Sequence, residues 1–72
     1  MKQPKTKQAH PVASRRAALG LSGYALAKKV GISPTHLHDI EHGRISSPSV
    51  EVALALAAAL GVTVEELFGR AA

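Results

Sequence analysis

Between Ser22 and Gly43 the chain is punctuated at such close intervals that little but two short helices can fit. Ser22 is the kind of side chain that caps a helix start, and Gly31 follows Val30 where a residue of positive φ would end a helix. Ser33-Pro34 opens a second segment, a cap followed by proline at the first helical position, and Gly43 closes it. The spacing predicts helices over residues 23–30 and 34–42, joined by Gly31-Ile32-Ser33. Leu26, Val30, Ile32, Leu37 and Ile40 then form one apolar seam across both helices and the turn. Ala27 faces the partner helix, where only a small side chain lets the two axes approach.

The same punctuation recurs on both sides. Apolar positions at helical spacing from Val12 predict a first helix over residues 12–19, stopped by Gly20. Ser47-Pro48 repeats the cap-and-proline start and predicts a helix over residues 48–60, ended by Gly61. Thr63-Val64-Glu65-Glu66 is a capping box that opens a short fifth helix through Phe68. The expectation is an all-α, five-helix domain over residues 12–69, preceded by a disordered basic arm over residues 1–11. Only 3% of the residues are aromatic, so the core must be aliphatic. Leu19, Leu21, Leu26, Val30, Ile32, Leu37, Ile40, Val50, Ala57, Leu60, Leu67 and Phe68 are the expected contributors.

Charge narrows the function. The formal net charge is +4, and it is unevenly spread. Lys2, Lys5, Lys7, Arg15, Arg16, Lys28 and Lys29 stand in residues 1–38 with no acid among them. Residues 39–72 set Asp39, Glu41, Glu51, Glu65 and Glu66 against Arg44 and Arg70. A basic half on a small chain is the footprint of a partner that is a polyanion, most often nucleic acid. There is no cysteine, which excludes disulfides and Cys-based zinc sites. The longest apolar run, Val52 to Leu60, is too short to span a bilayer, and no signal-peptide stretch follows the charged N-terminus. The reading is cytoplasmic and nucleoid-associated, with no membrane partner. No serine stands with a base and an orienting acid, so no enzyme and no cofactor are expected.

Residues 23–43 have the arrangement of a helix-turn-helix whose second helix enters the major groove of DNA. From about Arg15 to Phe68 the sequence also resembles the Cro/repressor-type helix-turn-helix family, also called the Xre family. The matching pieces are Arg16, Leu21-Ser22, the run Leu26 to Ser33, Ile40 to Arg44, Pro48-Ser49, Ala57 to Gly61, and Glu65 to Phe68. The resemblance implies a five-helix repressor-like DNA-binding domain. It also implies that Arg16 and Glu41 form a partly buried ion pair tying the first helix to the third. Two departures stand out. The position opening the second helix is usually glutamine in relatives and is Gly23 here, and Asp39 replaces a neutral or amide side chain.

The start of the third helix offers Pro34, Thr35 and His36 to base or sugar, with His38 and Asp39 one turn later. Threonine can donate to a base or pack its methyl on thymine, and aspartate can accept from cytosine N4. Arg15, Arg16, Lys28, Lys29, His42 and Arg44 are phosphate candidates by charge and position, and Ser22 and Tyr24 by backbone N–H and hydroxyl. His38 and His42 are four residues apart and could clip a metal between them, but His36 points elsewhere, so no metal site is expected. The fourth helix carries one charge, Glu51, and is apolar nearly all round, which predicts burial on more than one side. A homodimer through helices four and five is therefore expected, using some of Val52, Leu54, Ala55, Ala59, Val62 and Val64. The functional expectation is a sequence-specific, double-stranded-DNA-binding transcriptional regulator, a repressor or autoregulator. The alternative is an antitoxin or other protein-interaction module that autoregulates through the same helices.

Overall fold

The structure is a computed structural model, and it describes residues 10–69. Five helices follow one another: α1 (Pro11–Ala18), α2 (Gly23–Val30), α3 (Pro34–Glu41), α4 (Val50–Leu60) and α5 (Val64–Phe68). The described residues are all-helical, as the sequence predicts. The arm falls outside the described residues except for its last two. Those two are not arm at all: Pro11 is the first residue of α1, and His10 is its N-cap.

Local hydrogen bonds set most of the boundaries. Ser22, Ser33, Ser49 and Thr63 each sit in extended backbone and accept a main-chain N–H with the side-chain oxygen. At the other end of α2, Gly31 takes the left-handed conformation at φ +80°, where a Cβ would be strained. The N–H groups of Gly31 and Ile32 then both donate to the Ala27 carbonyl, at 2.9 and 3.0 Å. This closes α2, turns the chain sharply, and leaves Ile32 half-buried against the core.

One start signal misled. Ser47-Pro48 does not open α4; Ser49 does, its Oγ accepting from the Val52 N–H at 3.2 Å. Pro48 is half-buried and lines an apolar groove with Val50 and Phe68, so it serves packing rather than initiation.

The core joins α1, α2, α3, α4 and α5 through Val12, Leu26, Ala27, Leu37, Ile40, Leu56, Ala57, Leu60 and Leu67. Leu21, Val30, Ile32 and Phe68 pack at its edge. Two expected members are outside it: Leu19 is 46% exposed and Val50 is 73% exposed. Leu19 lies on the same helical stripe as Val12, but α1 ends at Ala18 and the chain turns at Gly20, so Leu19 swings outward. Val50 begins α4, where the stripe Ala53, Leu56, Ala57 and Leu60 has run past the helices that cover it. Conversely, Val12 and Leu56 are fully buried and were not anticipated as core.

The expected dimer face also divides. Val52, Ala59, Val62 and Val64 pack partly against the core, which takes them off a wholly outward surface. Leu54 is 57% exposed. The apolar surface left open is a groove of about 520 Å³ between α4 and α5, lined by Pro48, Val50, Ala53, Leu54, Val64 and Phe68.

Candidate nucleic-acid interface

The third helix is fixed from both faces. Leu37 and Ile40 point inward and are fully buried. At its C-terminal end Glu41 receives Arg16 in a two-pronged pair, Nε to Oε2 at 2.8 Å and Nη2 to Oε1 at 3.0 Å. A third bond runs from Arg16 Nη1 to the Leu21 carbonyl at 3.0 Å. Planar guanidinium and carboxylate match in this geometry, so the pair fixes orientation as well as distance. The hydrogen bond to Glu41 raises the Arg16 pKa, against a smaller opposing effect of burial. One arginine thus ties α1, the α1–α2 turn and α3 together. The acid at the end of α3 has a structural use here, and its charge is compensated.

The outward side of α3 is polar. Pro34, Thr35 and His38 are exposed, and His36 is half-buried with its N–H capped by Ser33 Oγ at 3.0 Å. The rings of His38 and His42 stack, their centroids 4.0 Å apart. Asp39 is not a bare acid: its Oδ1 lies 3.4 Å from Arg44 Nη1 and 3.9 Å from His38 Nδ1. The backbone beyond α3 folds back onto the same residue, with the N–H groups of Arg44 and Ile45 donating to the Asp39 carbonyl. Arg44 therefore stands beside α3 instead of trailing from it.

A slot of about 230 Å³ separates the first turn of α2 from α3. It brings together Arg16, Gly23, Tyr24, Pro34, His38, Glu41 and His42, several of the residues singled out from the sequence. Tyr24 is 67% exposed at its edge. Gly23 is not required by the backbone, and a Cβ there would meet nothing within 4 Å. The fold therefore does not exclude a side chain at this edge of the slot. Ser22 spends its hydroxyl on the Ala25 N–H at 3.0 Å, and Lys28 and Lys29 are exposed on the last turn of α2.

Arg15 is elsewhere. Neighbours on a helix point about 100° apart, and Arg15 and Arg16 take different partners. Arg15 Nε donates to the Leu60 carbonyl at 3.1 Å, capping the end of α4, in a hollow shared with Ser14, Val62 and Glu66. Arg15 is otherwise exposed, and this bond engages one of its nitrogens. Sequence spacing carries no sign of this bond, since its partners are 45 residues apart. Nor did it show the Asp39–Arg44 contact. Their five-residue separation fits one turn of helix plus a turn back, but only the fold of residues 43–45 settles it.

Among the described residues there is no group of three or more histidines or acids able to hold a metal ion, and no helix long and apolar enough to cross a membrane. What the arrangement offers is polar side chains on the outward side of α3, with the cations Lys28 and Lys29 on α2 and Arg44 after α3, the chemistry of phosphate and base-edge contact. No curated protein matches the chain. The Helix-turn-helix family model matches residues 12–67, which takes in α2, the Gly31 turn, α3 and the helices that brace them. With that match over most of its length, the chain belongs to the Xre-type helix-turn-helix family, a family of DNA-binding transcription regulators.

Proposed function

We propose that this chain is a sequence-specific repressor or autoregulator that binds double-stranded DNA as a homodimer, with α3 in the major groove. The observation that supports this most is the Arg16–Glu41 clamp, which holds α3 rigidly while its polar side faces out. Thr35 and His36, with Pro34, meet base edges and thymine methyls; His38 and Asp39 read one turn further along. Arg15, Ser22, Tyr24, Lys28, Lys29, His42 and Arg44 hold phosphates on either side, and Arg16, paired with Glu41, lies at the edge of that surface. The basic arm, with Lys2, Lys5 and Lys7, adds contacts that carry no sequence information, so its deletion weakens all sequences alike.

The dimer forms through the apolar groove of α4 and α5, where Val50 and Leu54 stand exposed one turn apart. It places two α3 helices about 34 Å apart, one turn of DNA. A second reading draws on the same groove: an antitoxin would present it to an unrelated protein while regulating its own gene. Selection of bound sequences from a random DNA pool tests the proposal. A two-fold-symmetric consensus with half-sites one turn apart is expected; a pool that stays unenriched overturns it and favours the protein-partner reading.

A further inference from the structure

His10 is where the sequence expected loose chain, and it is the residue with the most specific surroundings outside the DNA-facing side. Its Nδ1 accepts the Val12 N–H at 3.1 Å. Its carbonyl accepts the Ser14 N–H at 2.9 Å, the first bond of α1. Its ring meets Phe68 of α5 edge-on, centroids 5.9 Å apart and planes at 61°. Histidine is an unusual N-cap, because only one of its two nitrogens can accept and only in the neutral ring. A backbone N–H always donates, so this bond fixes the tautomer: Nδ1 bare, Nε2 carrying the proton.

We propose that His10 is a pH-sensitive latch joining the start of α1 to α5, closed when the imidazole is neutral and opened by its protonation. A proton on Nδ1 would face the Val12 N–H donor to donor. It would also place a positive charge at the positive end of α1. Both effects act in one direction. Burial works the same way and lowers the His10 pKa from the ordinary 6.5, with Glu41 opposing to a smaller extent.

The surrounding charges leave that balance intact. Glu41 on α3 is already bound in two places by Arg16 of α1. On α1 itself Arg15 is engaged at the Leu60 carbonyl. On α5, Glu65 and Glu66 are exposed, and Glu66 is committed to the Thr63 N–H at 2.8 Å. No carboxylate on these three elements makes an ion pair with the ring.

The pH sign follows. The native state binds fewer protons at His10 than the unfolded chain does at pH values between the lowered native pKa and 6.5. Stability is therefore full above that window and is lost as pH falls through it. Phe68 also lines the α4–α5 groove, so the latch connects acidity to the apolar face rather than to the face that carries α3. The latch does not depend on the DNA reading, and its test uses no DNA.

The test is a proton and nitrogen NMR titration of the four imidazoles in the full chain, from pH 8 to 5, with thermal melts of the wild type and His10→Asn alongside. Asparagine caps helices well and does not titrate. At pH 7.5 the His10 Nδ1 signal should be that of an unprotonated nitrogen, and its titration midpoint should lie below 6.5. The fall in Tm from pH 7.5 to pH 5 should be smaller in His10→Asn by roughly 3 °C or more. A protonated Nδ1 at pH 7.5, a midpoint at or above 6.5, or equal Tm losses in the two proteins would each overturn the latch. The wild-type titration decides the question even if His10→Asn fails to fold.

Discussion

The helices α3 and α4 are built from the same local rules and present opposite surfaces. Each has a serine at its N-cap, and glycine of positive φ follows each. Each buries an aliphatic stripe, Leu37 and Ile40 in one, Ala53, Leu56, Ala57 and Leu60 in the other. The remaining side chains diverge: α3 shows proline, threonine, histidine and aspartate to solvent, while α4 shows Val50 and Leu54. Burying a stripe makes a helix fold, and what stands opposite the stripe decides what the helix can meet. A polar, donor-rich surface fits phosphate and base edges; an apolar one fits another apolar surface.

Exchanging an inward for an outward residue breaks the comparison most sharply. Leu37→Ala should cost roughly 2–5 kcal/mol and leave the domain largely unfolded in thermal melts. Leu54→Ala, which removes the same atoms from an exposed site, should stay within about 0.5 kcal/mol of wild type. Similar losses at both positions would mean that α4 is covered more fully than its exposure indicates.

Removing the clamp comes next. Arg16→Met leaves Glu41 without its two donors, and hydrogen bonds to charged groups contribute about 1.5–3 kcal/mol each way they are counted. DNA affinity should fall further than stability alone explains, because α3 loses its fixed angle. Chemical denaturation and a binding titration on the same sample separate the two. Unchanged affinity would place the orientation of α3 under Leu37 and Ile40 alone.

Leu54→Lys tests the other surface without touching α3. Folding should be preserved, dimer should vanish in sedimentation, and affinity for a two-fold site should drop about tenfold or more, some 1.4 kcal/mol. Affinity for a single half-site should not change. Equal losses on both sites would tie Leu54 to DNA rather than to a second copy.

The smallest effect concerns how α3 carries an acid beside phosphate. Arg44→Ala should weaken DNA binding, and less so when Asp39 is already asparagine. A coupling of about 0.2–1 kcal/mol is the scale for an exposed pair. Additive losses in the double mutant would make Arg44 a phosphate contact with no hold on Asp39.

How much of this was legible beforehand varies by region. The limits of α2 are those the sequence predicted, because Ser22 and Gly31 act on main-chain groups within a few residues. The start of α4 was misread: Ser47-Pro48 matches the cap-and-proline pattern, but Ser49 caps the helix and Pro48 lines the groove beside Phe68. The pairing of Arg16 with Glu41 came through family resemblance, not spacing. Arg15 at the end of α4 and His10 against Phe68 had no signal, since each depends on a partner dozens of residues away.

The sequence by itself therefore determined five helices, the sharp turn at Gly31 and a basic first half. Caps, glycines of positive φ and apolar periodicity are satisfied within one or two turns of chain and need no distant partner. Tertiary structure alone decided which apolar residues find cover. Leu19 and Val50 sit on the expected stripes yet lie exposed, because a stripe is buried only as far as a neighbouring helix extends over it. It also decided which partner each charge takes: Arg15 and Arg16 are adjacent in sequence, but one bonds the end of α4 and the other holds α3.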